Sequence, residues 1–335
     1  MLASLRRLWF LLTLIVVLVA GLAMPETMEP FTRWVPGDAV VGLVMFVMAL
    51  PLETGALWSA ARRPGPAWLA TALNSGVAPP LGWLASHALP TELAVGVIVA
   101  ALVPCTLATA AVWTRRAGGN DAVAFLVTIV TNLSCFVVVP AWLWLLLRPE
   151  SHADLQRANI DYSGIVVGLI ILVVMPIVLA QALRQAAVVA EWAGRRKHDL
   201  SFLAQCGVLL IVLLGAVKCG MQLNAIDGKT IISAANLALM VGAVVAIHST
   251  ILIIGYWLSA ALRFSRADAI AVAFAGSQKT LMVGAYLALA VGPLAILPMV
   301  AYHAAQLIID TLVAERLRGH CPQPGDVQSR ADCQN

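Results

Sequence analysis

Long uncharged apolar runs constrain this chain more than any other feature it has. Those from Leu8 to Met24, Leu93 to Thr114, Ala122 to Leu147, Tyr162 to Leu183, Leu200 to Val217 and Thr230 to Leu262 approach or exceed the length of a membrane span. About 20 residues cross the ~30 Å of bilayer hydrocarbon. Only 11% of the 335 residues are charged and 61% are hydrophobic, against roughly 25% charged in soluble domains. The chain is therefore expected to reside in a lipid bilayer as an all-α protein.

Ten spans are predicted, over 8–24, 36–53, 67–88, 92–114, 120–147, 162–184, 200–219, 230–262, 267–290 and 295–316. Lys279 to Asp310 brackets thirty uncharged residues, too many for one straight span, and Val291-Gly292-Pro293 supplies a turn within them. Ten spans leave both termini on one side. With that side cytoplasmic, fifteen of the twenty-one Lys and Arg residues fall inside, and only Arg33, Arg148, Arg157, Lys218 and Lys229 fall outside. That asymmetry is the positive-inside pattern, which counts basic residues rather than net charge. It places the chain in the cell (inner) membrane. Arg6-Arg7 followed by an apolar stretch and Gly21 to Ala23 also suits a cleavable signal peptide, which would leave nine spans.

Lys279 is the one basic residue that no loop claims. It belongs to a polar cluster, Ala275-Gly276-Ser277-Gln278-Lys279-Thr280, in the ninth span. The fourth span carries a matching interruption, Val103-Pro104-Cys105-Thr106-Leu107-Ala108-Thr109. The chain thus divides into a first five-helix repeat, 1–161, and a second, 162–318, with a short tail at 319–335. Five being odd, the repeats insert with opposite orientation. Paired interruptions in inverted repeats point to a transporter binding site, because unwound backbone at that depth must line protein or a water-filled cavity. A plain proline kink at Pro104 is the alternative.

A lysine at mid-membrane costs about 2.5–3.5 kcal/mol on insertion scales, so Lys279 should face a cavity or a partner. Snorkelling to an interface is its other outlet. Asn74, Thr106, Thr109, Thr128, Asn132, Ser277, Gln278, Lys279 and Thr280 form the candidate substrate- and ion-binding set. Taken singly, such hydroxyls and amides often only bond backbone or neighbouring helices. Glu53 is expected at the cytoplasmic end of span two, near Arg62 and Arg63. His248 and His303, in spans eight and ten, could relay protons or simply pack. Cys105, Cys135, Cys206 and Cys219 read as small hydrophobes, and Cys321 and Cys333 lie in the tail. No CxxC, HExxH, nucleophile–base pair or phosphate-cradling loop is present, so neither an enzyme nor a resident cofactor is expected. A net charge of +4 gives no sign of nucleic acid, and no protein partner is legible.

PCTLATAAVWTRRAGGNDAVAFLVTIVTNLSCFVVVPAWL from Pro104, with AFAGSQKTLMVG and YHAAQLIID downstream, resembles the bile acid:sodium symporter superfamily, in its SBF-like bacterial branch. The resemblance runs from about Val41 to Arg318. It implies inverted five-helix repeats forming a panel and a core, with helices 4 and 9 broken and crossing. It further implies Na+ ligands at Thr109, Thr128, Asn74 and Gln278. Phe274 stands near the position of the ligand glutamate, and Ala110 replaces an asparagine. These losses imply that the Lys279 ammonium fills the space of a lost sodium ion, there to attract an anion or exchange a proton. The expected activity is secondary transport of a small organic anion by alternating access, coupled to Na+, to H+ or to neither. A transport-inactive regulatory or scaffold membrane protein is the alternative.

Overall fold

The computed structural model describes residues 2–52, 62, 64–147, 160–225 and 232–318, with side chains from Trp9 onward. Glu53, Arg63, Arg148, Arg157, Lys229, Cys321, Cys333 and the 319–335 tail lie outside the described residues. Within them every regular element is helical, as expected of backbone that must satisfy its own hydrogen bonds in hydrocarbon.

The first part of the chain comprises α1 (Leu2–Ala23), α2 (Pro25–Thr32), α3 (Gly37–Ala49), α4 (Gly65–Ala72), α5 (Ala78–Ser86), α6 (Thr91–Leu102), α7 (Thr109–Arg116) and α8 (Asp121–Leu146). The remainder comprises α9 (Tyr162–Leu169), α10 (Met175–Leu183), α11 (Ala187–Arg195), α12 (Lys197–Ala225), α13 (Ala234–Ala261), α14 (Arg266–Ser277), α15 (Leu281–Val291) and α16 (Ile296–Arg318). One wide π turn, Leu73–Val77, joins α4 to α5, and another, Ile170–Val174, joins α9 to α10. Five helices are long and apolar enough to cross a membrane, namely Asp121–Leu146, Tyr162–Leu183, Lys197–Ala225, Ala234–Ala261 and Pro293–Arg318. Trp9–Ala23 and Pro25–Thr32, bent by 106°, make a sixth if taken as one span. The other expected spans coincide with shorter or interrupted helices, 37–49, 65–86, 91–116 and 266–291.

Boundaries follow local chemistry. Ser233 and Ser265 cap α13 and α14, their hydroxyls accepting from the N–H groups of Asn236 and Asp268. Pro25 sits in the first turn of α2, where its missing N–H costs nothing. The short α11, between the sixth and seventh expected spans, has no counterpart in the sequence reading. Its Val188 and Trp192 are exposed on adjacent turns.

Two packing groups emerge. One joins α1 and α3 to α12, with α10 packed on α3. The other joins α13 to α14 and α16, α5 to α6, and α14 to α4 and α8. Val16, Trp68, Val137, Ile171 and Trp257 stay exposed, an apolar exterior suited to lipid. The protein is thus a helical membrane protein whose polar side chains are drawn inward.

Candidate functional site

Both interruptions are real breaks. Pro104 lacks an N–H, and its ring pushes the preceding residue out of the helical region. Val103 accordingly has ψ 152°, α6 ends there, and helix resumes at Thr109. In the second break no proline acts. The Ser277 hydroxyl turns back onto the Ala273 oxygen at 2.8 Å, the type of back-bonding that weakens a helix. Gln278 and Thr280 are extended, with ψ 142° and 122°. The breaks touch directly, the Thr280 N–H donating to the Pro104 oxygen at 2.9 Å.

Buried backbone freed by a break needs partners, and each break finds them on other elements. Around the first, Cys105 N–H donates to Thr131 Oγ1 (3.2 Å), Asn132 Nδ2 donates to Cys105 O (2.8 Å) and Thr128 Oγ1 donates to Thr106 O (3.0 Å). Around the second, Asn74 Nδ2 donates to Gln278 O (2.9 Å) and Tyr302 donates to Ser277 O (3.0 Å). Gln306 clasps Lys279, accepting from its N–H at 2.9 Å and donating to its oxygen at 3.0 Å. Helix α8 therefore braces the first break, while α16 and the Leu73–Val77 turn brace the second. Thr128 and Asn132, expected to line a site, serve as braces here, and the Asn132 Oδ1 is buried without a partner.

Lys279 is fully buried. Its Nζ donates to Asn74 O at 2.6 Å and Val103 O at 3.0 Å, with Asn74 Oδ1 at 3.4 Å. An ammonium has three donors, and three oxygens meet it. Val103 closes the C-terminal end of α6, where the helix dipole favours a cation. Hydrogen bonds to a charged group contribute about 1.5–3 kcal/mol each, enough to offset the ~2.5–3.5 kcal/mol that burying a lysine there costs. The lysine neither snorkels nor faces a cavity. It bolts the second break to the first and to the turn at Asn74.

Beside it lies a carboxylate that sequence reasoning treated only as a flank. Asp310 is fully buried; its Oδ1 is 3.0 Å from His248 Nε2, and its Oδ2 accepts from Gln278 Nε2 at 2.6 Å. The other ring nitrogen of His248 faces Ser277 O at 3.2 Å. Both ring nitrogens thus face oxygens, and the imidazole links Asp310 on α16 to the backbone of the second break. The Gln278 Oε1 in turn accepts from Thr106 (2.6 Å) and Thr109 (2.9 Å). Tyr302, His303, Gln306 and Asp310 all lie on the buried side of α16, and that polar stripe was the available signal.

A cavity of about 760 Å³ opens between the two packing groups, within the ~300–1,000 Å³ common for ligand sites. Of the candidate set, only Thr106, Thr109 and Thr280 line it. Its walls include Trp9, Phe10, Met48, Trp113, Phe125 and Met282. Trp113 keeps a buried indole N–H with no partner. Among the described residues, the ionisable ones lining it are Arg115, Lys197, His198 and His303, with no carboxylate. Arg115 is paired with Asp121 outside the lining.

The TRRAGGN stretch ties the two broken helices together a second time. Gly118 adopts φ 79°, open to glycine at little cost. A Cβ on Gly119 would lie 2.6 Å from Ile270 Cγ2. This close turn lets Asn120 donate from its N–H to Ala267 O (2.9 Å) and from Nδ2 to Asp268 Oδ1 (2.8 Å).

The four residues implied as sodium ligands do not converge on one free pocket. Thr109 is bonded to Gln278, Thr128 to backbone, and Asn74 to backbone and Lys279. Among the described residues no three His, Cys, Asp or Glu side chains cluster for a metal.

Known proteins place this architecture. Sodium/bile acid cotransporter 7-B of Xenopus laevis is 22% identical over 335 residues, covering 95% of this chain and 94% of that one. Sodium/bile acid cotransporter 7 of Danio rerio is 22% identical over 336 residues, 95% and 96% of the two chains. An uncharacterized protein of Pseudomonas aeruginosa is 27% identical over 238 residues, 67% of this chain and 66% of that one. The relatives with a named activity are cotransporters and not enzymes. The profile of the SBF-like CPA transporter family matches residues 8–319, nearly the whole chain. A chain with two touching helix breaks and a cavity beside them thus belongs to the SBF-like CPA transporter family.

Proposed function

We propose that the protein is a secondary carrier of a small organic anion, working by alternating access. The observation that carries this reading is the cavity, whose ionisable lining residues, among those described, are all bases and whose walls are apolar and aromatic. Such a lining suits a ligand with a carboxylate or sulfonate on a hydrophobic body. In this reading ten segments cross the bilayer as two inverted repeats, 1–161 and 162–318, with both termini cytoplasmic and helices 4 and 9 crossing. Arg115 and Lys197, at the ends of α7 and α12, then set the cavity mouth on the cytoplasmic side of the inner membrane. The group around α12 acts as the panel and the group around α14 as the core, rocking against each other. Na+ and H+ are the two candidate driving ions. The lining residues Thr106, Thr109 and Thr280 are the proposed substrate contacts, and Asn74, Thr128, Asn132, Ser277, Gln278 and Lys279 hold the breaks in shape behind them.

A thermal-shift screen of the purified chain tests this, pairing organic anions with neutral amides of the same skeletons. At least one anion should stabilise the protein where its amide does not, and Thr109→Val should weaken the effect. A panel in which no anion outperforms its amide overturns the reading. It would favour a transport-inactive scaffold, which the near-complete internal pairing of the break residues also suits.

A further inference from the structure

The ammonium of Lys279 has a coordination shell made only of oxygens. Asn74 O at 2.6 Å, Val103 O at 3.0 Å and Asn74 Oδ1 at 3.4 Å surround it, and the side chain is sealed from solvent. Oxygen-only shells of main-chain carbonyls and an amide are what hard cations require. Two backbone irregularities build this one. The π turn Leu73–Val77 presents the Asn74 carbonyl sideways, and the extended Val103 leaves the last carbonyl of α6 pointing off its axis. The buried carbonyls freed there need donors, and the Lys279 Nζ supplies them.

We propose that Lys279 is the resident cation of the helix-break crossover, a covalently tethered charge that fills an oxygen cage a free sodium ion could otherwise enter. A sodium ion added to these oxygens would stand beside a fixed positive charge. The buried carboxylate of the crossover, Asp310, is already engaged by His248 and Gln278 and does not reach Nζ within hydrogen-bonding distance. Thr106, Thr109 and Gln278, whose oxygens might otherwise serve, are bonded to one another. Relatives at 22% identity carry sodium in their names; on this proposal the present chain would bind none at the crossover. The charge moves with the break instead of entering and leaving with substrate. The consequence for coupling rests on the carrier reading above; the cation cage itself does not.

Two measurements on the purified full-length chain decide it. The first is equilibrium binding of sodium-22, and the second is the unfolding midpoint in sodium chloride against choline chloride at equal ionic strength. The wild-type chain should show no saturable sodium-22 binding and the same midpoint in both salts. Lys279→Gln, which keeps donors for the carbonyls but removes the charge, should gain a sodium-specific rise of a few degrees. Saturable sodium-22 binding by the wild type overturns the proposal, as does a folded Lys279→Gln chain whose midpoint ignores sodium. Should Lys279→Gln not fold, the wild-type arm still decides. Neither measurement needs a transported substrate, so failure of the anion screen would sink the carrier reading alone.

Discussion

Asn74 and Lys279 hold each other from both sides of a helix break. The lysine Nζ donates to the Asn74 main-chain oxygen at 2.6 Å, while the Asn74 amide donates to the oxygen of Gln278, the residue before the lysine, at 2.9 Å. Neither half of the clasp is local, since 205 residues separate the pair. Its geometry makes the turn at Asn74 as much a part of the break between α14 and α15 as the break's own residues.

Asn74→Leu should therefore be far more damaging than its conservative volume suggests. It strips donors from the oxygens of Gly276 (3.2 Å) and Gln278. A buried group left unpaired costs about 1–3 kcal/mol. A clearly lowered unfolding midpoint is expected, and an unchanged one would show that the clasp contributes nothing.

His248 and Asp310 should behave as one unit. Single substitutions His248→Ala and Asp310→Asn each orphan the other's partner atoms, and the double variant should cost less than their sum. Contacting residues in one network show coupling of about 0.5–3 kcal/mol. A double-mutant cycle on denaturation free energy measures it, and strict additivity would refute the pairing.

Glycine positions separate packed from open faces. A Cβ at Gly96 would fall 2.6 Å from Pro298 Cγ and 2.8 Å from the Ala295 Cα. Overpacking of this kind costs about 1–3 kcal/mol, so Gly96→Val should reduce yield of folded protein. Gly242→Ala meets nothing within 4 Å and should be neutral or stabilise the helix by about 0.5–1 kcal/mol. Size-exclusion profiles of the two variants give the comparison.

Asp161 offers a pH test at the membrane edge. Its carboxylate is held below the usual range, first by the Ser163 hydroxyl and then by the Gly164 N–H at the start of α9. A depressed carboxylate in the folded chain contributes stability above the unfolded value of about 3.9, and that contribution fades as pH falls. Asp161→Ala should lower the unfolding midpoint at neutral pH, and the gap should close below about pH 4. A gap that widens on acidification would contradict the cap.

Much of this protein could be read along the chain because its strongest signals act within a single turn or span. Pro104 stops a helix through its own ring, and the interruption at Gln278 announces itself as polar residues inside an apolar run. The His248–Asp310 pair was less legible. Each residue taken alone suits an ordinary helix interior, and only their approach across 62 positions reveals the pair. Likewise Thr128 and Asn132 carried the right functional groups for a ligand site, but folding directs them to the carbonyls of the first break.

Hydropathy, proline and charge placement decide membrane residence, helix boundaries and where helices fail, because each acts through backbone sterics or desolvation over a few residues. Which partners rescue the failed helices is a different matter. A buried ammonium or carbonyl accepts any suitable group within about 3 Å, and the chain offers many. Only packing chose Asn74 and Val103 for Lys279, and only packing opened a cavity beside the breaks, bringing Arg115, Lys197, His198 and His303 to its lining.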